Sequence, residues 1–205
     1  MSSIRHTALF GFPVMIQKID KKSYNKKSIV STIEKNFKLN KHRNLWDVTS
    51  RPVDRSVLHH AFKDFDNPKY HKVNFDTLLP VYEKVLEEMF KKMDLRSPYR
   101  FDFTIVNYAC MSNSHYMNPH LHPGSDFTAV HYIQFDKKHH TPTMFENTLP
   151  CADYLVNLRP NLAKILSNRH PTNSWAYQDW SLDIEEDDFC FSPAFLKHRI
   201  NPQVS

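Results

Sequence analysis

Residues 118–125 read Asn-Pro-His-Leu-His-Pro-Gly-Ser, and a nine-residue run with the composition of a β-strand follows at Phe127–Phe135. Side chains of a strand alternate between its two faces, so His120 and His122 are expected to point to the same side. Imidazole is the commonest metal ligand in proteins. We therefore predict that this stretch supplies the first half of a mononuclear metal site, and that His198 supplies the third ligand.

Apolar periodicity predicts helices in the first half of the chain and strands in the second. The predicted elements are an edge strand at Leu9–Ile16, helices at Ser28–Leu39 and Asp76–Leu95, a weaker helix at Val57–Phe62, a strand at Phe101–Tyr108, a helix or loop insert at Asn157–Asn168, and strands at Trp175–Ile184 and Phe189–Phe191. Helices followed by antiparallel strands indicate an α+β protein. We expect residues 1–205 to form a single domain, with helical support and one or two edge strands in 1–98 and the β-structured core in 99–205.

Composition excludes several classes of function. Gly11 and Gly124 are the only glycines, so neither a P-loop nor a Rossmann phosphate-binding loop can form. The three cysteines are odd in number and lack C-x-x-C spacing, which argues against a disulfide framework and a thiolate zinc site. The N-terminus does not resemble a signal peptide and no apolar run is long enough to span a bilayer, so we expect a reduced, cytoplasmic protein without membrane contact.

The formal net charge is +5, and much of the excess is lysine in the first hundred residues. A nucleic-acid surface is compatible with this charge. Acidic residues are scattered among the lysines and no nucleic-acid-binding motif is present, so a solvated surface is the favoured interpretation. We therefore expect a small molecule or a protein side chain as the substrate, rather than nucleic acid. The sequence specifies neither the substrate nor the oligomeric state.

Three imidazoles are a sufficient set of protein ligands for a catalytic metal. A facial arrangement of three ligands leaves positions open for substrate and oxygen, as in non-heme Fe(II) oxygenases. Two ligands on one strand and a third far along the chain suit a small β-barrel, in which distant strands become neighbours. Two alternatives stay open at this point: His122 can orient His120 from outside the ligand set, and Asp126 can replace His122 as the ligand.

Two segments, in this order and at this spacing, resemble the 2-oxoglutarate/Fe(II) dioxygenases of the prolyl-hydroxylase type. They are His120-Leu-His-Pro-Gly-Ser125 with Thr128-Ala-Val-His-Tyr132, and Glu186-Asp-Asp-Phe-Cys-Phe-Ser-Pro-Ala-Phe-Leu-Lys-His198. The chain is similar to a small group of such oxygenases common in marine bacteria and tailed phages, over roughly residues 100–205. The resemblance implies a double-stranded β-helix, that is, a jelly-roll or cupin-like barrel, with the N-terminal helices packed outside.

The resemblance also implies a hydroxylase that uses Fe(II), 2-oxoglutarate and O2, with ascorbate able to assist. His120 and His198 correspond to iron ligands of the family, and His122 stands where most of the superfamily has a carboxylate. The co-substrate contacts that the resemblance implies are Tyr132, Tyr108 and Asn107.

The chain departs from the family in three ways. First, His122 stands in the position of the family's carboxylate ligand. Second, the acidic run Glu185–Asp188 replaces the family's glycine, and Ser192-Pro193 replaces its Phe-Pro. Third, no arginine follows His198 at the family's distance to pair with the far carboxylate of 2-oxoglutarate. Either the sequence is truncated before that arginine, or Arg199 or another basic residue takes its role, or the protein does not use 2-oxoglutarate.

Two alternative functions follow from these departures. One is a non-catalytic metal-binding β-barrel module, for instance a virion-associated one. The other is a cupin-like dioxygenase that uses three histidines and no co-substrate. If the protein is phage-encoded, we expect it to act in the host cytoplasm, whichever of these functions it has.

Overall fold

The computed structural model describes residues 4–9, 11–39, 59–62, 69–93, 99–112, 115–149 and 177–204. The helices in these ranges are α1 (Lys26–Leu39) and α2 (Leu79–Lys92). The strands are β1 (Ile4–Leu9), β2 (Phe12–Lys18), β3 (His59–Phe62), β4 (Asn107–Cys110), β5 (Met117–His120), β6 (Phe127–His131), β7 (Thr143–Glu146), β8 (Asp179–Ser181), β9 (Asp188–Pro193) and β10 (His198–Ile200). The predicted α+β class is confirmed.

The described residues form two compact units, one within residues 1–18 and 117–201 and one within residues 19–116 and 202–205. The first unit holds two four-stranded antiparallel sheets, with strand orders β1-β2-β9-β6 and β5-β10-β7-β8. From β5 to β10 the chain changes sheet repeatedly: β6 and β9 belong to one sheet, and β5, β7, β8 and β10 to the other. Over the described residues both sheets are open, and no closed barrel is formed.

The two sheets of the first unit share one hydrophobic core. Val14 and Ile16 of β2 and Cys190 of β9 meet Phe145 of β7 and Trp180 of β8 in this core. All six residues of β9 are buried, because β2 and β6 flank the strand and its apolar residues face both sides. The prediction of a short buried strand at Phe189–Phe191 is therefore confirmed, and the strand extends by one residue before and two after.

The prediction of an edge strand at Leu9–Ile16 was wrong. The chain reverses at Gly11, whose φ of +83° is readily adopted only by glycine, so the segment is divided between β1 and β2. β2 is an interior strand between β1 and β9. Pro13 is tolerated there because the pairing with β9 begins only at Met15.

The second unit holds the two helices and the antiparallel pair of β3 and β4. Asn36 of α1 is fully buried and its amide is the main polar link in this unit. Its Oδ1 accepts a hydrogen bond from the His71 backbone N–H (2.7 Å), and its Nδ2 donates to the His71 carbonyl (2.8 Å) and to Tyr108 Oη (2.9 Å). These bonds fix α1 against the segment around His71 and against β4.

Helix α2 confirms the predicted apolar stripe, whose buried members are Tyr82, Val85, Leu86, Met89 and Phe90. The predicted start at Asp76 was three residues early. Residues 76–78 form a turn closed by the bond from Leu78 N to Phe75 O (2.8 Å), and Leu78 is the N-cap residue. α1 begins at Lys26, two residues before its predicted start.

Three further predictions do not match the structure or fall outside its described part. Within the described ranges, residues 101–106 pair with no strand, and strand structure begins at Asn107. The ring of Phe101 instead packs on that of Phe90 (5.0 Å between centroids). The weak helix at Val57–Phe62 is wrong over His59–Phe62, which form strand β3. Of Trp175–Ile184 only β8 is a strand, while Trp175 and the insert at Asn157–Asn168 lie outside the described residues.

Candidate metal centre

The structure brings together the three histidines that the sequence singles out. β5 and β10 are neighbours in one antiparallel sheet, and His198 is paired directly with His120. His122 lies two residues past the end of β5, where its backbone N–H donates to the Ala194 carbonyl (3.1 Å). One ring nitrogen from each histidine lies within 4.8 Å of the other two, which is a group that can hold a metal ion.

Two of the rings have their protonation pattern set by the backbone. The Nδ1 atom of His120 lies 2.8 Å from the Asn118 carbonyl, and that of His198 lies 2.7 Å from the Leu196 carbonyl. A carbonyl oxygen only accepts, so each Nδ1 carries the hydrogen and each Nε2 keeps its lone pair. This is the arrangement by which proteins orient metal-binding imidazoles.

The spacing of the nitrogens fits one shared ion. The Nε2 atoms of His122 and His198 are 3.2 Å apart. With metal–nitrogen bonds of about 2.1 Å, two ligands at a right angle lie about 3.0 Å apart and two at the tetrahedral angle about 3.4 Å apart. The observed separation falls between these values, so both nitrogens can bind the same cation.

Burial holds the group in the neutral form that metal binding requires. Burial, together with the neighbouring His120 and His122, lowers the pKa of His198 to about 4, against the opposing effect of the bond to Leu196. Burial also lowers the pKa of His120, and burial followed by the nearby His120 lowers that of His122. Near neutral pH all three imidazoles are therefore uncharged, and each has one ring nitrogen whose lone pair can bind a metal.

Acid is expected to lower the free energy of unfolding of the metal-free protein, because the folded state resists protonation of His198. An unfolded histidine titrates near pH 6.5 and the folded one near 4, so the unfolded chain takes up the proton first as the pH falls. The stability is complete above about pH 6.5 and decreases as the pH falls toward 4, by about 3 kcal/mol. Urea unfolding in chelator at stepped pH measures this loss.

The comparison protein for this titration is His198→Gln, which keeps a polar side chain of similar length but cannot be protonated. Its free energy of unfolding should vary with pH less steeply than that of the wild type between pH 6.5 and 4. Equal slopes for the two proteins would show that His198 does not titrate as its burial requires.

Asp126 and Arg199 are not part of this group. The group contains His122 and not the exposed Asp126, whose backbone carbonyl accepts a bond from Ala194 N (3.0 Å). Arg199 follows His198 in β10 and therefore points to the opposite face of the strand. Its guanidinium there donates to Glu146 (2.7 Å) and Asp179 (3.0 Å).

Tyr132 is buried in the core that the two sheets share. Its hydroxyl donates to Thr143 Oγ1 (2.6 Å) and accepts from the Thr143 backbone N–H (3.1 Å), which ties the end of β6 to β7. Burial raises its pKa, so the hydroxyl stays protonated. Tyr108 and Asn107 lie in β4 of the second unit, where Tyr108 Oη accepts the bond from Asn36.

Sequence reasoning missed several groups that support the histidines. The ring of Phe145 lies 5.6 Å from that of His198, its partner on β7. The run Thr143-Met-Phe-Glu146 has no apolar–polar alternation, so its periodicity gave no strand signal that could have found it. The carbonyls of Asn118, Leu196 and Ala194 carry no side-chain signature, so the residue types could not have indicated them.

Comparison with known proteins adds no assignment: no family model, no curated protein and no solved structure matches this chain. Within the described ranges, neither helix has the length and apolar character needed to cross a membrane.

Proposed function

We propose that the chain is a non-heme Fe(II) and 2-oxoglutarate-dependent dioxygenase that hydroxylates a substrate. The observation that carries the proposal is the convergence of His120, His122 and His198 on one site, where the Nε2 atoms of His122 and His198 are spaced for a shared ion. Three protein ligands on one side leave coordination positions open, which is the requirement for a metal that must bind co-substrate and oxygen.

The double-stranded β-helix is part of this proposal. Its support is the repeated exchange of the chain between two antiparallel sheets from β5 to β10, together with one core enclosed by both sheets. In a jelly roll, consecutive strands change sheet in this way. The exchange places β10 beside β5. His198 is thereby paired with His120, which lies 78 positions earlier in the chain.

The residues of the chain would have two tasks. His120 and His198, fixed by carbonyl bonds, would hold the iron with His122, and Phe145 would help keep water from the His198 ring. Bound iron with 2-oxoglutarate supplies oxidative decarboxylation, which consumes O2 and leaves succinate, CO2 and a hydroxylated substrate. The neutral imidazoles add no negative charge, so the cation keeps its full attraction for the carboxylate of the keto acid.

Anaerobic titration tests the proposal. The protein is loaded with Fe(II), 2-oxoglutarate is added, and the visible charge-transfer absorption of the chelate is recorded; oxygen is then admitted and succinate is measured. We expect the absorption band and succinate formation from the wild type, and neither from His198→Ala. Iron binding without band or succinate would reject the hydroxylase.

A second candidate, a metal-binding module without catalysis, is favoured by one observation. Arg199 faces away from the histidines and is engaged by Glu146 and Asp179, so it does not offer its fork to the far carboxylate of 2-oxoglutarate. The same titration separates the candidates, because the module would bind the metal tightly and give no succinate.

A further inference from the structure

The positive charge of the chain is concentrated in one short part of the second unit. Residues 20–39 contain six lysines and two acidic residues, Asp20 and Glu34, which gives a net +4 of the +5 carried by the whole chain. The remaining residues are therefore almost balanced in charge. Such concentration is what distinguishes a binding surface from a scattered excess of lysine.

Five of these lysines are exposed and make no ion pair with any described residue. They are Lys21, Lys22, Lys27, Lys35 and Lys38. In the first unit, the exposed Lys18, Lys137 and Lys197 each have a carboxylate within 3.1 Å, whereas Lys138 has no ion pair with a described residue. Asp20 is occupied in the turn before α1, where its Oδ1 accepts from Lys22 N (2.9 Å).

Helix geometry aligns the lysines of α1. At about 100° per residue, Lys27, Lys35 and Lys38 fall within an arc of about 80°, and the first and last are about 16 Å apart along the axis. The burial of Ile29 and Asn36 on the other side of the helix leaves this arc toward solvent. The helix thus presents one row of positive charges.

The lysine surface, as we define it, consists of the five exposed lysines of residues 20–39, which are Lys21, Lys22, Lys27, Lys35 and Lys38. The sequence alone favoured a solvated surface. The alignment of three of these lysines on one side of α1, and the lack of ion pairs between the five and any described residue, favour a binding surface.

We propose that the lysine surface binds the sugar-phosphate backbone of nucleic acid without regard to sequence. Phosphates at regular, close spacing are matched by point charges along a row and need no pocket. The surface contains no arginine fork for reading base edges. Among the large hydrophobic side chains that are exposed in the described ranges, Leu39 alone lies within residues 20–39, which gives little to insert into a lipid layer or to stack on bases.

Fluorescence anisotropy on the full chain tests this. Two labelled 20-base-pair duplexes of unrelated sequence are titrated at 50 and 200 mM salt. We expect similar affinity for both duplexes and a strong decrease with salt. Replacing Lys27, Lys35 and Lys38 by Glu should weaken binding at 50 mM salt at least about 30-fold and lower the salt slope by about 3, one unit for each lost phosphate contact.

The matched control is the triple change of Lys84, Lys91 and Lys92 to Glu in α2, which alters the net charge equally on exposed helical positions. It should change the affinity less than about 3-fold. Absence of binding at 50 mM salt, equal losses in both triple variants, or equally tight binding to vesicles containing anionic lipid would overturn the proposal. A Gln version of the first triple variant, with unchanged circular dichroism, excludes misfolding as the cause. Metal loading of the histidine group is measured separately and should be the same in all variants.

Discussion

His198→Ala is expected to lower the affinity of the protein for Co(II) by about 10²- to 10³-fold. A complete structural site of four ligands is worth roughly 10–16 kcal/mol, so one ligand accounts for about 3–4 kcal/mol, and each 1.4 kcal/mol is tenfold in affinity. His198 is the most buried of the three, and the Leu196 carbonyl already orients its ring. Isothermal titration in chelator-treated buffer gives the affinities, and the visible bands of Co(II) report the coordination.

The control for this measurement is His139→Ala. His139 is an exposed histidine that bonds to Asp136 (2.7 Å), so the substitution removes an imidazole without touching the proposed site. We expect wild-type affinity from it, and losses similar to that of His198→Ala from His120→Ala and His122→Ala. If His122→Ala binds Co(II) as the wild type does, His122 is not a ligand and serves only to orient its neighbours. If His198→Ala retains full affinity, the metal site is refuted.

A second readout separates metal loss from loss of folding. A ligand that binds only the folded state stabilises it, by about 2.7 kcal/mol at a concentration of one hundred times Kd. The thermal midpoint of the wild type should therefore rise on adding Co(II), and that of His198→Ala should not. The variant should nevertheless unfold cooperatively without metal, because the core below the site is formed by other residues.

The histidine pair could be chosen from its two-residue spacing, but the strand period that motivated the choice does not place it. β5 ends at His120, and His122 lies beyond the strand, where its backbone N–H donates to the Ala194 carbonyl. The third ligand is a different case. His198 meets His120 through strand pairing across 78 positions, and the sequence pointed to it only through the order of the two segments that resemble an oxygenase family. The structure gives the physical reason, which is that β5 and β10 are adjacent strands of one sheet.

The direction of the Arg199 side chain could have been predicted from the alternation of side chains along a strand. A residue next to a ligand in a strand must point to the other face, and Arg199 pairs there with Glu146. Residues 101–106 show that an alternating pattern alone does not make a strand. Their alternating pattern satisfies the strand rule, yet a strand also needs a partner, and the ring of Phe101 packs against α2 instead. Periodicity describes which side of a segment is apolar, but pairing depends on distant residues.

The link between Arg5 and Asp188 could not have been predicted, because 183 positions separate the two residues. The Asp188 side chain is completely buried at the start of β9, and its Oδ2 accepts from Arg5 Nη2 and from the Glu185 backbone N–H (2.8 Å). Arg5 also donates to the Asp183 carbonyl (3.0 Å), so it joins the first strand of the sheet to the acidic turn before β9. The pair thereby connects the N-terminal strand to the segment that leads toward His198.

Arg5→Met is expected to lower the free energy of unfolding by about 3 kcal/mol. The substitution keeps an apolar stem but leaves a buried carboxylate without its main counter-charge, and removing one partner of a buried pair typically costs about 3–5 kcal/mol. The lower end applies because the Arg5 side chain is 41% exposed and water screens part of its charge. Urea unfolding followed by circular dichroism measures the change.

Arg100→Met makes the same chemical change in an exposed pair and serves as the control. Arg100 and Asp102 are 3.2 Å apart, and water surrounds both, so little change in stability is expected. Adding Asp188→Leu to Arg5→Met should recover part of the loss, because no buried charge is then left unpaired. Equal stability of Arg5→Met and Arg100→Met would show that the buried carboxylate does not depend on Arg5. A recovery in the double variant, with Co(II) affinity maintained, would show that the pair acts on the fold and not on the metal centre.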